Sequence, residues 1–571
     1  MLLDFHETVT IPRLAILPKD AETKITLHPE KNQIEGYTRF STHPTADNFA
    51  LYFVMDIRGA IDRAHTETTT NDGRHQTGTH ADGNGAGLNV GFAEKKIEIR
   101  LGFSFISIEQ AWINLRRELG ERSFNEIRRE GEALWEAHLA KIDIEADDAT
   151  LDTFYSCMYR LFLYPTRMDE FDANMQRIHY SPYSGETHPG PAYTNNGFWD
   201  TFRTVYPLYS IIDPERYADI LEGYVNAYRE SGWLPKWPSP AETGIMPGTL
   251  IDAVIADAAV KGIGSRDLLE TALEGAIKHS ITDAHDERIG RRGVTEYLEL
   301  GYVPKDKFHE SVNRSLDYIY GDYCIGRTAE VLGRHELIAP YAEKAQNYKK
   351  LYDSETGFMR GRTSSGDFSP TFDPFEWGGD YTEGSAWQNS LAVYHDFDGL
   401  IELMGGANAF AEHLDRLFAA EPLYSIGSYW GEIHEMTEMA AVDFGQFAIS
   451  NQPSFHIPYL YVLVGQREKA VHWIRRACSE LFSANPAGFP GDEDNGSTSG
   501  WYILSMLGFY QLCPGKAEYV IASPLVESAS IQLGSSGRRA LISRDSDGCF
   551  VLNGKRIEST YLSHEQLISE S

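Results

Sequence analysis

Apolar and polar residues alternate along the first part of the chain. In "KKIEIRLGFSFIS" (95–107), Ile97, Ile99, Leu101, Phe103 and Phe105 fall on one face, and the residues between them are mostly polar. A period of two with one polar face predicts an antiparallel sheet or sandwich. "NFALYFVMDI" (48–57) predicts another strand, and "TETTTNDGRHQTGTHADGNGAG" (66–87) predicts a long polar loop. Residues 1–107 therefore form a predicted β domain.

The apolar spacing then becomes helical. Residues 108–144 are charged, with apolar positions that fit a helix pair, and we interpret them as a linker: Phe124, Ile127, Leu134, Leu139 and Ile142. Residues 145–517 are predominantly helical by the same criterion. In 212–235, Asp213 and Pro214 predict a helix start and Gly232 its end. Residues 518–571 return to short strands, such as "EYVIASP" and "RRALISR".

This order predicts a mixed fold. Many helices of similar length, joined by long Gly-, Pro- and Trp-rich loops, suit a closed ring of helical hairpins whose loops gather at one end. Chemistry is expected in those loops. The predicted architecture is a β domain, a helical linker, a large α domain and a small C-terminal β element.

Composition narrows the class of function. The chain has 571 residues and a net charge of −32, which argues against nucleic acid or an anionic membrane as a partner. Aromatic residues make up 12%, which suits both sugar-binding clefts and large cores. The N-terminus has no signal-peptide pattern, and no apolar run reaches the roughly 18 residues of a membrane span. We expect a cytoplasmic protein, with secretion left open if a true N-terminus lies upstream.

Candidate chemistry centres on "GFPGDEDNGSTSGW" (488–501), with its adjacent acids Asp492, Glu493 and Asp494. An EF-hand loop is excluded, because its fifth and twelfth positions would be Gly496 and Ile503. One interpretation is an exposed acidic turn that caps the following helix. The other is a partly buried carboxylate cluster, in which neighbouring charges shift each other's pKa as acid–base catalysis requires.

Four further loops combine acids, amides and aromatics, and each also has a structural interpretation. The second cluster, "WGGDYTEGSAWQNS" (377–390), could instead be a helix N-terminus, and Asp–Arg in "GFWDTFR" (197–203) a structural pair. "GEIHEMTEMA" (431–440) could be a solvated helix face, and "SNQPSFHIPYLY" (450–461) adds amides. Together the five loops favour glycoside hydrolysis by two carboxylates over any nucleotide or serine-hydrolase site, whose motifs the sequence lacks.

Several of these motifs, in this order, resemble glycoside hydrolase family 92, the calcium-dependent exo-α-mannosidases. The resemblance covers roughly residues 95–560 and includes "YTEGSAWQNSLAVYHDFDGLIELMGG", "NQPSFHIPYLY" and "GFPGDEDNGSTSGWYILSMLGFYQLCPG". It implies an N-terminal β-sandwich, a helical linker, an (α/α)6 barrel and a C-terminal β element. It also implies an inverting mechanism, which needs two carboxyls about 6.5–9.5 Å apart.

The resemblance assigns roles by motif. Glu383 matches the general acid, and Asp492 and Asp494 match the carboxylates of base catalysis. Trp199 and Asp200 match the subsite for the terminal mannose, and Arg203 and Trp387 from the same loops complete the predicted substrate contacts. Calcium is expected to bridge protein oxygens and the sugar, and its predicted ligands are Asp494, Asn451, Gln452 and Glu438.

The resemblance also narrows the linkage. His434 and Glu435 sit where members that cleave α-1,2-linked mannose carry a His–Glu pair, so terminal α-1,2-mannose of N-glycans or mannans is the expected substrate. The intact Glu383 disfavours mannose-1-phospho-6-mannose, because a phosphate leaves without a proton. Another linkage, a different reaction in the same fold, or a non-catalytic mannan-binding protein stays open, since the chain begins inside the expected sandwich and ends short of its last strands. The oligomeric state is not predicted.

Overall fold

The computed structural model describes residues 1–569 except 6–9, 18–20, 40–44, 47 and 70–73. The chain divides into two compact units. One comprises Met1–Ala137, Arg167–Thr194 and Ser239–Ala241, and the other comprises His138–Thr166, Asn195–Pro238 and Glu242–Ser571.

The first unit is rich in antiparallel strands, as the alternating pattern predicts. Six strands pair in the order Leu2–Asp4, Lys96–Ser104, Leu51–Arg58, Gln33–Arg39, Glu22–His28 and His80–Asn84. Four more pair in the order Arg13–Ile16, Gly87–Phe92, Ile61–Thr69 and His75–Thr77.

One apolar core joins these two sheets. Ile25, Ile57 and Ile99 from the six-stranded sheet share a buried cluster with Leu88 and Val90 from the four-stranded sheet. Two sheets that bury their inner faces against each other form a sandwich. The predicted antiparallel sandwich is confirmed for the described residues.

The outer face of strand Lys96–Ser104 differs from the prediction. Ile97 and Ile99 are buried as expected, but Phe103 is exposed and Arg100 is buried. Arg100 is buried because the helix Ile108–Glu118 packs on the face predicted to be polar, through Ala111 and Leu115. A Cβ at Gly102 would lie 2.5 Å from the Ala111 carbonyl oxygen, so the helix backbone approaches the strand closely. Periodicity within one strand cannot reveal a helix that covers its second face.

Two segments predicted as loop or helix form strands instead. The predicted loop 66–87 contains the end of Ile61–Thr69 and the strands His75–Thr77 and His80–Asn84, and its residues 70–73 lie outside the described residues. Within the predicted helical region, Arg167–Thr194 belongs to the first unit and contributes a three-stranded sheet of Glu170–Phe171, Arg177–Tyr180 and Thr187–Pro189. Short strands with polar residues in both faces carry little period-two signal.

The predicted linker forms two helices, Ile108–Glu118 and Phe124–Leu139. Of the predicted helix-pair positions, Ile142 lies instead in a strand, Ile142–Glu145, which pairs antiparallel with Ser528–Gln532 of the second unit.

The second unit is mainly helical. Its helix Pro214–Ser231 begins with Pro214 in the first turn and ends at Gly232, which has φ +80°, as predicted. The Asp213 carboxylate lies 3.2 Å from Lys141 Nζ. The unit's helices are Asp148–Leu161, Phe198–Thr201, Val205–Ile212, Pro214–Ser231, Ile251–Val260, Arg266–Ile281, Val294–Leu300, Ser311–Leu332, His335–Lys344, Ala386–Asn389, Phe397–Leu403, Ala407–Ala419, His434–Ala440, Leu460–Leu463, Arg467–Leu481, Ser497–Leu507 and His564–Ile568, with 3-10 turns Asn347–Lys350, Gln452–Ser454 and Ile457–Tyr459.

Some of these helices are buried on all sides. Every residue of Ser497–Leu507 is buried, and so is nearly every residue of Ile251–Val260. Helices such as Arg467–Leu481 bury only one stripe. A helix that is buried all round lies in the interior of its domain, so the unit has inner and outer helices. The closure of these helices into an (α/α)6 barrel stays a prediction.

The C-terminal part of the chain contains short strands, as the sequence predicts. Ile142–Glu145, Ser528–Gln532, Arg539–Arg544, Phe550–Leu552 and Lys555–Arg556 form one antiparallel sheet, and Phe509–Tyr510, Glu518–Ile521 and Tyr561–Ser563 form another. The second unit also contains the short strands Tyr352–Asp353, Phe358–Met359, Glu376–Trp377 and Ser425–Ile426. Throughout the described residues, every helix falls short of the length and apolar character needed to cross a lipid bilayer.

Candidate active site

Glu383 lies in a constrained loop of the second unit, just ahead of helix Ala386–Asn389. Ser385 caps that helix: its hydroxyl accepts from Trp387 N, and Gln388 Oε1 accepts from Ser385 N at 2.7 Å. The backbone of Glu383 has φ +43°, a region that non-glycine residues rarely adopt. Its N–H donates to the hydroxyl of Tyr429 at 2.7 Å. The surrounding contacts hold Glu383 in a conformation that costs free energy, as often occurs at functional sites.

Two neighbouring amides connect Glu383 to the acidic turn. Asn451 Nδ2 donates to the main-chain oxygen of Glu383 at 2.8 Å and to its carboxylate Oε2 at 3.1 Å. Gln452 Nε2 donates to Asp494 Oδ2. Asn451 Oδ1 accepts from the main-chain N of Gln452 at 3.0 Å, which fixes the Asn451 side chain relative to the backbone of Gln452. The predicted acid and one predicted base carboxylate are therefore positioned by adjacent residues.

The three acids of the turn have different surroundings. Asp494 has φ +50° and a mostly buried carboxylate, whereas the Asp492 side chain is 71% exposed. Glu493 accepts from Gly496 N at 2.7 Å and from Ser499 N at 3.3 Å, at the start of helix Ser497–Leu507. Glu493 thus turns from the other two acids to cap a helix, which combines both interpretations drawn from the sequence.

The surroundings of the two buried carboxyls, Glu383 and Asp494, give them different pKa values. Burial raises the pKa of Glu383 to about 8, with a further increase from the charge of Glu435 and a partly opposing hydrogen bond from Asn451. Burial raises the pKa of Asp494 to about 6; the hydrogen bond from Gln452 opposes this increase, and the charges of Asp492 and Glu435 add to it. Near pH 7 the first carboxyl is mostly protonated and the second mostly ionised, which is the pairing that acid–base catalysis uses.

His434 sits among three carboxylates at the start of helix His434–Ala440. Its Nε2 lies 3.2 Å from Glu435 Oε1 and 3.5 Å from Asp492 Oδ2, and its Nδ1 lies 3.3 Å from Glu438 Oε1. Burial alone would lower the pKa of His434, but Glu435, Glu438 and Asp492 outweigh it and raise the pKa. The predicted His–Glu pair therefore lies beside the predicted base turn.

Asp200 is a third buried carboxylate near the same groups. Trp237 Nε1 donates to Asp200 Oδ2 at 3.2 Å, and Ser497 Oγ donates to its main-chain oxygen at 2.7 Å. Burial, followed by the charges of Asp494 and Glu383, raises the pKa of Asp200 well above its usual range. A Cβ at Gly197 would lie 1.9 Å from Asp200 Oδ2, so this turn requires glycine. The electrostatic link places Asp200 close to both catalytic candidates.

The remaining predicted substrate contacts are buried. Arg203 donates from Nε to the Trp199 carbonyl at 3.0 Å and from Nη1 to the Tyr394 hydroxyl. Trp199 Nε1 is buried and has no hydrogen-bond partner among the described residues. The ring of Trp387 packs against Phe358 and His413. Arg203 and Trp387 thus make contacts typical of a core, and Trp199 keeps a donor available.

Three residues that the sequence analysis did not single out contribute to the site. The Tyr429 hydroxyl accepts from Glu383 N, and Trp237 Nε1 donates to Asp200 Oδ2. Asn495 Oδ1 accepts from Gly197 N at 3.0 Å. Asn495 lies within "GFPGDEDNGSTSGW", Trp237 lies two residues after segment 212–235, and Tyr429 lies two residues before "GEIHEMTEMA". Their residue types gave little indication of these roles, because the tertiary fold determines which residues distant in sequence contact each other.

The predicted calcium ligands meet one chemical test. Gln452 Oε1 and Glu438 Oε2 are buried and have no hydrogen-bond partner among the described residues, and oxygen atoms of this kind are the ligands that Ca²⁺ prefers. Asp494 lies next to Gln452, while the Asn451 oxygen already accepts a hydrogen bond. Within the described part of the chain, no three His, Cys, Asp or Glu side chains form a ready-made metal cluster. Asp494 and Gln452 fit the ion best, and Glu438 adds an available oxygen.

Comparison with known proteins identifies the family of the chain. The model of the glycosyl hydrolase family 92 catalytic domain matches residues 110–570. An inverting mannosidase of family 92 from Bacteroides thetaiotaomicron superposes with a TM-score of 0.91 at 37% identity, over 99% of this chain and 78% of the other. A family 92 α-mannosidase of the same organism, solved with mannoimidazole, gives 0.85 at 26% identity, over 98% of this chain and 76% of the other.

A curated relative, described as an uncharacterized secreted glycosidase from Arthroderma benhamiae, is 25% identical over 518 residues. The match covers 82% of this chain, and the chain spans 59% of the length of that relative. Because the family model matches most of the chain, the chain belongs to glycosyl hydrolase family 92.

Proposed function

We propose that the chain is an exo-acting, inverting α-mannosidase that hydrolyses terminal α-1,2-linked mannose from N-glycans or mannans. The observation that carries the proposal is the pair of amides, Asn451 and Gln452, that holds Glu383 and Asp494 with pKa values of about 8 and about 6. The similarity to two bacterial enzymes, an inverting mannosidase and an α-mannosidase, supports mannose as the terminal sugar.

The proposed reaction uses each group in the form that its environment favours. Protonated Glu383 donates its proton to the glycosidic oxygen as the bond from that oxygen to the anomeric carbon breaks. Asp494 accepts a proton from a water molecule whose oxygen bonds to the anomeric carbon from the opposite face. The products are mannose of inverted configuration and the shortened glycan, and a second proton exchange with solvent restores both carboxyls.

The terminal mannose is proposed to sit against Asp200 and Trp199. Asp200 is buried and hydrogen-bonded by Trp237, and Trp199 Nε1 is an available buried donor. A buried polar group that hydrogen-bonds a sugar hydroxyl discriminates strongly against analogues without it. This end of the site therefore gives preference for one terminal sugar, which is what exo-cleavage needs.

Calcium is part of the proposal. Asp494 and Gln452, with Glu438, would hold the ion, and when bound it would supply a positive charge that orients sugar hydroxyls and stabilises charge in the transition state. Gln452 also donates to Asp494, so it keeps the base carboxylate oriented.

The α-1,2 linkage is the finer part of the proposal. His434 and Glu435 lie beside Asp492, where a leaving sugar could be bound by a cationic and an acidic group together. Glu383 has the raised pKa that a general acid needs for a sugar leaving group, whereas a phosphate leaving group needs no such acid. The surrounding acids also repel a phosphodiester. We further propose that the helices close into an (α/α)6 barrel; a cytoplasmic location stays a prediction, because the curated relative is described as secreted.

A linkage panel tests the function. Purified protein is incubated with α-1,2-, α-1,3-, α-1,4- and α-1,6-mannobiose with calcium and with a chelator, and proton NMR follows the anomer released. We expect β-mannose first, fastest from the α-1,2 substrate, with loss on chelation that calcium restores. Initial release of α-mannose would contradict inversion, and preference for another linkage would overturn the role of His434 and Glu435. Binding of mannobiose without turnover would favour a non-catalytic mannan-binding protein.

A further inference from the structure

An exposed tryptophan, Trp430, follows in the chain the tyrosine that binds the backbone of the candidate acid. The 423–433 loop, residues Leu423 to Ile433, contains the short strand Ser425–Ile426 and leads into the helix that begins at His434. Trp430 in this loop is fully exposed, and Leu423 and Ile426 are exposed as well. Its chain neighbour Tyr429 accepts a hydrogen bond from Glu383 N at 2.7 Å. An apolar surface therefore borders the loop that carries the acid.

The loop is held firmly in place. Strand Ser425–Ile426 pairs with Glu376–Trp377, and Gly379 N donates to Ser428 Oγ at 2.7 Å. A Cβ at Gly427 would lie 2.6 Å from the Trp377 carbonyl oxygen, so the two segments approach as closely as backbones can. This attachment joins the 423–433 loop to the segment that ends in Glu383.

Side chains of the loop divide between two environments. Tyr424, Tyr429 and Ile433 pack on a buried cluster that contains Trp377 and Met436. Leu423, Ile426 and Trp430 face solvent instead. A well-anchored loop that buries one set of apolar side chains and exposes another holds the exposed set in place before any ligand binds. A fully exposed tryptophan on such a loop, beside residues that contact a candidate catalytic group, is a candidate binding residue.

The chemistry of the neighbouring groups indicates which ligand the exposed side chains would bind. The general acid protonates the glycosidic oxygen, which departs with the leaving group, so groups beside Glu383 on the solvent side meet the leaving part of the substrate. Tryptophan rings offer a flat apolar face with a polar edge, which suits the C–H face of a sugar. Glu432 in the loop and Glu435 just after it add negative charge, which favours a neutral sugar over an anionic one.

From these observations we propose that Trp430 is a stacking platform for a neutral mannose unit beyond the first leaving sugar, so that the site prefers oligosaccharides of three or more units. The proposal rests on the proposed mannosidase function and adds the length of the substrate. The disaccharide reaches the acid but ends before the platform, whereas a trisaccharide or tetrasaccharide extends over it.

Kinetics on substrates of increasing length test the platform. Wild type, Trp430→Ala and Trp430→Phe are compared on α-1,2-linked mannobiose, mannotriose and mannotetraose, with Tyr159→Ala as a control for loss of an exposed aromatic elsewhere in the unit. For Trp430→Ala we expect the ratio of kcat/KM on the tetrasaccharide to that on the disaccharide to fall about tenfold, which corresponds to about 1.4 kcal/mol. Trp430→Phe should keep most of the ratio, and Tyr159→Ala should keep all of it.

Binding gives a readout that does not depend on turnover. Calorimetry with mannotetraose, in Glu383→Gln and in the same variant carrying Trp430→Ala, reports the platform with hydrolysis suppressed, and it does so even where the wild type hydrolyses none of these mannosides, a result that would overturn the proposed function alone. Thermal unfolding of each variant checks that the fold is intact. An unchanged length ratio together with unchanged tetrasaccharide affinity would overturn the platform. So would a wild-type dimer that Trp430→Ala converts to monomer with the ratio preserved, since the surface would then bind a second copy of the chain.

Discussion

The carboxamide of Asn451 donates to Glu383 twice, to its main-chain oxygen at 2.8 Å and to its carboxylate at 3.1 Å. One side chain therefore fixes both the strained backbone and the acidic group of the candidate acid. Its neighbour Gln452 donates to the carboxylate of Asp494. The Asn–Gln dipeptide therefore positions both carboxyls, and its hydrogen bonds oppose the increase in pKa that burial causes.

Asn451→Ala removes a hydrogen bond that favours the ionised form of Glu383. Burial raises the pKa of this carboxyl and Asn451 partly opposes the increase, so the variant should raise the pKa further. The alkaline limb of the kcat profile should move to higher pH, and kcat should fall by about tenfold, as for one lost positioning hydrogen bond. Gln511→Ala, which removes a buried amide bound to Asp257, is the control and should leave the limb in place. An unmoved limb in Asn451→Ala would assign this residue a purely structural role.

Glu383→Gln removes the proposed proton donor. On α-1,2-mannobiose kcat should fall by about 10²–10⁴-fold, the usual range for general acid catalysis. An aryl mannoside with an acidic phenol should lose far less, since its leaving group departs without a proton. Glu376→Gln, a nearby acid on the same segment, serves as the matched control. Equal losses on both substrates would show that Glu383 does not act as the acid.

The pH dependence of kcat/KM should be bell-shaped. Activity should rise as Asp494 loses its proton near about pH 6, because burial has raised its pKa, and should fall as Glu383 loses its proton near about pH 8. These limbs describe the interacting pair in the free protein rather than isolated groups. Saturating calcium should move the acid limb to lower pH, because a bound cation favours the ionised form of its ligand Asp494, whereas the alkaline limb should stay near about pH 8. An alkaline limb below pH 5 would contradict the assignment of Glu383.

Gln452→Met should affect two separate measurements. It removes the orphaned Oε1 proposed to bind calcium, so calcium affinity measured by calorimetry should fall at least tenfold. It also removes a hydrogen bond that opposes the effect of burial on Asp494, so the acid limb should move to higher pH. Asn451→Ala provides the comparison, because its oxygen already accepts from Gln452 N. A larger loss of calcium affinity in Asn451→Ala than in Gln452→Met would make Asn451 the ligand instead.

Glu493 should act in stability rather than catalysis. Its carboxyl caps helix Ser497–Leu507, and Glu493→Ala should lower the free energy of unfolding by about 1 kcal/mol, the usual value of a cap. Burial raises the pKa of Glu493 to about 7, above its value in the unfolded chain. The contribution of its protonated carboxyl to the free energy of unfolding is therefore fully present at low pH and is lost as pH rises through about 7.

Glu493→Gln tests this sign, because the variant cannot ionise. The difference in Tm between wild type and Glu493→Gln should shift in favour of the variant as pH rises from about 5 to about 8. A constant difference across that range would show that the carboxyl does not titrate in the folded protein, and a loss of kcat on the scale of Glu383→Gln would place Glu493 in the catalytic machinery.

Local features of the sequence determined much of the fold. The helix Pro214–Ser231, the strand centred on Ile99 and the C-terminal strands follow from apolar spacing and from Pro and Gly at element ends, which act within a few residues. The separate acidic and aromatic loops were visible in the same way, and their resemblance to a known family related Glu383 to the acidic turn.

Tertiary structure alone decided how those loops work together. The burial of Arg100 depends on a helix that covers its strand, and the role of Glu493 depends on which backbone N–H groups the turn meets. Only the fold brings Asn451 to Glu383, Tyr429 to the same backbone and Trp237 to Asp200. The pKa of each carboxyl follows from burial and from charges distant in sequence, so the difference between a proton donor and a proton acceptor arises from packing, which residue types and spacing do not encode.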